Sequence, residues 1–353
     1  MPTEATGNSY TRREVLRRAG LALGAAGLAP LLGGAASIDE LGGGAVSSPA
    51  GPSKDLSRVA LVRTHDRASG TRQAVDLLSP EGINGKTVLL KPNFNTADPA
   101  PAATDSRLLE ALVLELRNAG ASDITIGDRS GMAVTREALE AKGVFELAER
   151  LGLGAVAFDE LGADGWQKFA SQGTHWSRGF LLPRQVLDAG AVVNTCCLKT
   201  HRYGGHFTLS LKNTIGMVAK HDPEDGYNYM TGLHSSEHQR LMIAEANAAY
   251  QPALVLLDGV QALTDGGPDT GTLAEPGIIL AGTDRVAVDA VGIAILRSLG
   301  TTEEVSHGSI WELEQIRRAV DLGLGATSPE QIELVTADAG SERAADSLRR
   351  LLS

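Results

Sequence analysis

Cysteine is nearly missing from this chain: the adjacent Cys196 and Cys197 are the only two among 353 residues. Two thiols cannot build a disulfide framework or ligate a cluster, so no iron–sulfur cluster is expected from this chain alone. At the end of an apolar run they are expected as small buried hydrophobes rather than as a strained disulfide. Aromatic residues are scarce at 4%, which argues against a surface built for stacking sugars or bases. Basic runs are missing beyond the first 20 residues and the formal charge is −11, so no nucleic-acid partner is expected. Neither a Gly-x-Ser-x-Gly elbow nor a phosphate loop between strand and helix occurs, which sets aside serine hydrolases and nucleotide binders.

What is present begins with an address. Arg12 and Arg13 precede an uncharged stretch from Ala19 to Ile38 made mostly of Ala, Gly and Leu, the layout of a twin-arginine signal peptide over residues 1–36. Its Gly content and Pro30 make it a poor membrane anchor, so no stable membrane span is expected after cleavage. The expected destination is periplasmic or extracellular, with the twin-arginine export machinery as a partner. Residues 37–56, rich in Gly, Ser, Ala and Pro, read as a flexible linker. A single α/β domain is expected over 57–353.

Seven short apolar runs alternate with helical patterns: Val59–Val62, Thr87–Leu90, Ile124–Gly127, Ala155–Phe158, Val192–Thr195, Leu254–Leu257 and Ile278–Ala281. Leu108, Leu109, Leu112 and Leu116, and later Val288, Val291, Ile295 and Leu299, recur at the helical period. The alternation predicts an α/β fold, a largely parallel sheet with helices on both faces. Residues 204–232, rich in Gly, His, Lys, Asn and Tyr, break the scheme and are expected as a polar, loop-rich insertion.

Parallel sheets present ligands at the carboxyl ends of their strands. Five runs end in polar residues: Lys91 and Asn93, Asp128, Lys199 and His201, Asp258, and Asp284. A lysine closing a buried strand must reach water or meet an anion, so Lys91 and Lys199 point to a small anionic partner. Six of the eight histidines gather between His175 and His238. His234 and His238 are spaced one helical turn apart, which with His201 makes a candidate site for a divalent transition metal. Solvated or acid/base histidines are the alternative.

Four stretches then carry a resemblance: Val88–Asn93, Val192–His201, Leu209–Gly216 and Asp284–Ala290. Together they resemble the domain of unknown function 362 family from about Val59 to Gly300. The pair Lys199-Thr200-His201 and Leu211-Lys212-Asn213-x-x-Gly216 is the most specific part. Some relatives carry a ferredoxin-type module whose cysteines this chain lacks. The resemblance implies site positions at Lys91, Asn93, Lys199, His201, Lys212, Asn213, Asp258, Asp284 and Asp289. The expectation is an exported enzyme for a small anionic or carboxylate-bearing substrate, with a metal as an option. Lys199, His201 and Lys212 would be catalytic, and Lys91, Asn93, Asn213, Asp128, Asp258 and Asp284 would bind substrate. A non-catalytic binding protein for a small anion or metal is the alternative.

Overall fold

A computed structural model describes residues 56–352. The signal-peptide reading, and the linker up to residue 55, lie outside the described residues. A ten-stranded sheet runs in the order β12-β1-β11-β9-β7-β2-β3-β4 along its main path. These are β1 (Ser57–Arg63), β2 (Thr87–Lys91), β3 (Asp123–Asp128), β4 (Gly154–Ala157), β7 (Ala191–His201), β9 (Leu254–Leu263), β11 (Ile278–Gly282) and β12 (Ile332–Val335). The short β8 (His206–Thr208) and β10 (Leu273–Ala274) hang from β7 and β9, and β5 (Trp166–Phe169) pairs with β6 (Phe180–Pro183) as a separate ribbon. Six of the seven apolar runs lie wholly in strands, and the fourth overruns β4 by Phe158, which opens a 3-10 turn. Along the main path all neighbours are parallel except where β11 runs against both β1 and β9. The fold is therefore α/β with a largely parallel sheet.

Two apolar clusters sandwich this sheet. One joins Leu89, Val192 and Leu257 to the helix Arg285–Ser298. The other joins Val88, Leu90 and Ile126 to the helix Ser106–Asn118, whose Leu108, Leu109, Leu112 and Leu116 are all buried. Strands covered on both faces must be apolar on both, which is why they read as continuous rather than alternating runs. Both helices begin at an aspartate, Asp105 and Asp284, whose carboxylate accepts two backbone amides of the first turn.

Two features position the site. From β2 the chain proceeds outward to β3 and β4, whereas from β7 it proceeds the other way to β9, so the order reverses between β2 and β7. Such a reversal leaves a crevice outside the carboxyl ends of the strands. In addition, β2 ends with Lys91 opposite Asn194, while β7 continues to His201 and folds back through β8. The extension stands as a wall above the crevice.

The expected polar insertion is only partly loop. It holds β8, the helix Ser210–Asn213, a 3-10 turn Thr214–Met217 and the start of the helix Tyr229–His234. Leu209, Leu211, Ile215, Met217, Val218 and Ala219 are buried in the core beneath. Spaced irregularly among polar residues, they form no periodic signal although they anchor the segment. Among the described residues no helix is long and apolar enough to cross a membrane.

Candidate functional site

A cavity of about 700 Å³ opens at the β2/β7 reversal. Lys91, Asn93, Asp128, Lys199, His201, Lys212 and Asn213 all line it, arriving from three strand ends and the Ser210–Asn213 helix. Lys91 donates to Asp128 Oδ1 at 2.7 Å, to Asn213 Oδ1 at 3.2 Å and to the Pro92 carbonyl at 2.5 Å. Asn93 donates to the same Asn213 oxygen at 2.9 Å, and its own oxygen accepts from Lys199 Nζ at 2.9 Å. Lys199 also donates to the Ala102 carbonyl. The amide of Asn213 is held by the Asn194 side chain at 2.7 Å and by the Thr195 carbonyl at 3.1 Å. Each member of this network fixes the next, and all are buried.

Asp128 is the one carboxylate among the described residues that line the cavity, and it is already occupied. Besides Lys91 it accepts the backbone amides of Phe94 and Arg129, each at 2.7 Å. Burial pushes its carboxyl up and the Lys91 ammonium down, and their attraction opposes both shifts. Gly216 passes directly over this pair. A Cβ there would lie 2.7 Å from Lys91 Nζ and 2.9 Å from Asp128 Oδ1, so the glycine of Leu211-Lys212-Asn213-x-x-Gly216 is required by close approach.

Of the other cations that line the cavity, Arg202 pairs with Asp269 and Arg240 with Glu314, whereas the buried Arg129, Lys199 and Lys212 form no ion pair among the described residues. Burial lowers the pKa of Lys199, whose hydrogen-bond partners are neutral oxygens. Lys212 has no hydrogen bond or ion pair among the described residues, although it is only 9% exposed. Burial first, then Arg129 and Lys199, bring its pKa down from 10.5 to about 7. Arg129 is buried beside the cavity and donates to the carbonyls of Val218, at 3.0 Å, and Ile215.

Two imidazoles face the same space. His201 and His234 lie parallel with ring centroids 6.0 Å apart, and Tyr203 meets His201 edge-on at 5.8 Å. Burial, with Lys212 next, holds His201 well below the ordinary histidine range. His234 is brought to about 4 by burial, again with Lys212 next. Both rings are therefore neutral near pH 7. The Gln239 amide donates to His234 Nδ1 at 2.9 Å, whereas His201 Nδ1 is buried without a partner. A Cβ on Gly205 would lie 2.9 Å from that nitrogen and 3.4 Å from Lys212 Cε, so His201 and Lys212 flank one point of the backbone.

The helix that presents Lys212 and Asn213 is fixed from behind. Asp289 accepts the Ser210 amide at 2.8 Å, the Ser210 hydroxyl at 2.6 Å and the Leu211 amide at 2.9 Å. Burial raises its pKa to about 7. A carboxyl satisfying the first amides of a one-turn helix supplies the cap that the helix cannot provide for itself. Asp289 is a positioning residue.

Three expectations from sequence are corrected. Asp258 does not enter the cavity. The β7–β9 pairing jumps from Cys197–Asp258 to Leu198–Ala262, and at that bulge Asp258 turns to Arg67 Nε at 2.7 Å. Asp284 also lies outside, because β11 is antiparallel and ends at the opposite rim. There it caps the helix Arg285–Ser298 and binds the Ala326 amide at 2.6 Å. The His201–His234–His238 metal set is not assembled. The helix containing His234 stops at that residue, and His238 turns away to meet His175 in a tilted ring contact with centroids 4.4 Å apart. Among the described residues no three His, Cys, Asp or Glu side chains converge as a metal site. Cys196 and Cys197 are free buried thiols, with Cys197 pushed up to about 11 by burial.

Sequence reasoning passed over Arg129, Tyr203, Gln239 and Arg240, all of which line the cavity. Arg129 follows Asp128 at a strand end and could have been found there. Gln239 and Arg240 come from the start of a helix with no pattern tying it to the strand ends, and Arg240 reaches the site by donating to the Gly204 carbonyl at 2.9 Å.

Comparison with known proteins finds a relative in sequence and likenesses among solved structures. A thylakoid-associated protein of Synechocystis sp. is 27% identical over 251 residues, covering 69% of this chain and 75% of that protein. Among solved structures, the lactate racemase apoprotein of Thermoanaerobacterium thermosaccharolyticum aligns with a TM-score of 0.39 at 15% identity, over 60% of this chain and 52% of that one. A Thermotoga maritima protein aligns with a TM-score of 0.33 at 14% identity, over 54% of this chain and 49% of that one. This chain thus spans about half the length of each solved structure. Residues 88–294 match a family model and enclose every cavity residue named above, so this chain belongs to the domain of unknown function family DUF362.

Proposed function

We propose that the cavity is the active site of an enzyme that binds a small carboxylate-bearing molecule and moves a proton at the carbon beside its carboxylate or carbonyl. The observation that carries this reading is a charge imbalance. Lys91, Arg129, Lys199 and Lys212 are buried around one space whose single lining carboxylate among the described residues, Asp128, is committed to Lys91. Burying a cation without a counter-ion is costly, and an anionic ligand supplies what is missing. A carboxylate accepts hydrogen bonds from two or more cations at once, which suits Lys199 and Lys212 on neighbouring walls.

Proton transfer is supported by the neutral groups beside them. His201 lines the cavity as a neutral imidazole, and Lys212 near neutral pH exists as ammonium and amine together. Both are suited to general acid/base work. A binding protein needs the same cations but no such base. The reaction class is tested by incubating the protein with small carboxylates and 2-oxo acids in heavy water and following deuterium uptake by NMR. Uptake at the carbon beside the carboxylate or carbonyl is expected with the wild type and lost in His201→Ala. Ligand binding without exchange would favour the binder.

The reading includes delivery out of the cytoplasm by the twin-arginine route, supported by Arg12-Arg13 ahead of the weakly apolar stretch. Replacing both arginines by lysine is expected to leave the full chain in the cytoplasmic fraction. Unchanged export would remove this part of the proposal.

A further inference from the structure

We infer that Lys212 is a nucleophile that condenses with the carbonyl of a 2-oxo acid, so that the substrate class is a small oxo-carboxylate held as an imine. The inference rests on the carboxylate-binding reading and adds a covalent step to it. Its basis is the difference between Lys212 and the other buried lysines. Lys91 is held by three oxygens, and Lys199 by Asn93 and the Ala102 carbonyl, so both amines are committed as fixed cations. Lys212 has no such partner, yet it lines the cavity and its backbone is pinned by Asp289 through Ser210 and Leu211. A rigidly mounted amine with a free lone pair is what attack on a carbonyl carbon requires. Desolvation and neighbouring cations keep a large share of it unprotonated near neutral pH.

The surroundings supply the rest of the step. The carboxylate of the oxo acid would rest on Lys199, which together with Arg129 provides the positive field next to Lys212. The Lys212 nitrogen forms a bond to the carbonyl carbon, the carbon–oxygen bond breaks, and the oxygen leaves as water with the two protons of the amine. His201, across Gly205 from Lys212, relays one of these protons from nitrogen to the departing hydroxyl. No oxidant or reductant is consumed. An imine beside a carboxylate acidifies the neighbouring C–H bond, which connects this step to the proposed proton transfer.

Pyruvate with sodium cyanoborohydride is the direct probe, because hydride from the reagent converts a transient imine into a stable amine. Intact-mass analysis of the full chain is expected to show one reduced pyruvate, and peptide mapping to place it on Lys212 in preference to every other lysine. Excess propanoate, which has the carboxylate but no carbonyl, should suppress the adduct by competing for the cations. Lys212→Arg keeps the charge and should lose the adduct, and pyruvate binding to that variant, read by calorimetry, verifies that the site is intact. Lys212→Met gives a second check should arginine be too large to fold. Saturable pyruvate binding without an adduct on Lys212 would overturn the imine and leave the carboxylate reading standing. Absence of both binding and adduct would overturn the two together. Adducts spread over surface lysines and insensitive to propanoate would also overturn the inference.

Discussion

Asp128→Ala is expected to lower stability by about 3–5 kcal/mol in urea unfolding, the cost of leaving one partner of a buried ion pair behind. The residue left behind is Lys91, which is 1% exposed, as is Asp128. The lysine is packed beneath Gly216, and its remaining contacts, the Pro92 carbonyl and Asn213 Oδ1, are neutral. The substitution also strips acceptors from the backbone amides of Phe94 and Arg129, which adds to the loss. Lys91→Met in the same background should recover much of the deficit, because it removes the unpaired charge and leaves a packed apolar chain. A loss well under about 1 kcal/mol for Asp128→Ala would mean that the pair is not the buried support described here.

Lys212→Met is expected to act in the opposite direction. It should stabilise the protein below pH 7, by up to several kcal/mol, since one pKa unit corresponds to about 1.4 kcal/mol. The sign follows from the protons bound in each state. Lys212 titrates at about 7 in the folded chain against 10.5 ordinarily, so between these values the unfolded chain holds a proton that the folded chain has released. Wild-type stability from this group therefore rises with pH across that window and carries its full penalty below it. The margin of Lys212→Met over wild type should be largest at about pH 6 and nearly gone at about pH 10. A margin that does not change with pH would contradict the buried, unpaired lysine. A residue that weakens the fold in this way is expected where function demands it.

The sequence made the strands legible because a doubly covered parallel sheet needs continuous apolar runs, and each run is short and bounded by turn residues. It also made the cation-rich rim legible, since a lysine at the end of such a run has few bland explanations. Strand direction was not legible. Ile278–Gly282 has the same kind of composition as the parallel strands of the sheet, and its antiparallel course is set by pairing with β1 and β9. That single reversal moves Asp284 from the site to the opposite rim. The bulge that turns Asp258 towards Arg67 is likewise a matter of register between two strands, which no local pattern encodes. His234 and His238 have helical spacing, but one helix ends at the first and the next begins after the second, so the spacing never becomes a shared face. Lys212 could be named from sequence, but its want of a partner could not, because that depends on which carboxylates fold towards it.

If the excess buried positive charge at the β2/β7 crevice serves a small carboxylate, calorimetric titration of the purified protein with propanoate will show it. Saturable binding is expected that weakens as pH rises through about 7, where Lys212 gives up its charge, and that is lost in Lys199→Met. Binding that is absent at millimolar propanoate, or that is indifferent both to pH and to Lys199→Met, would contradict it.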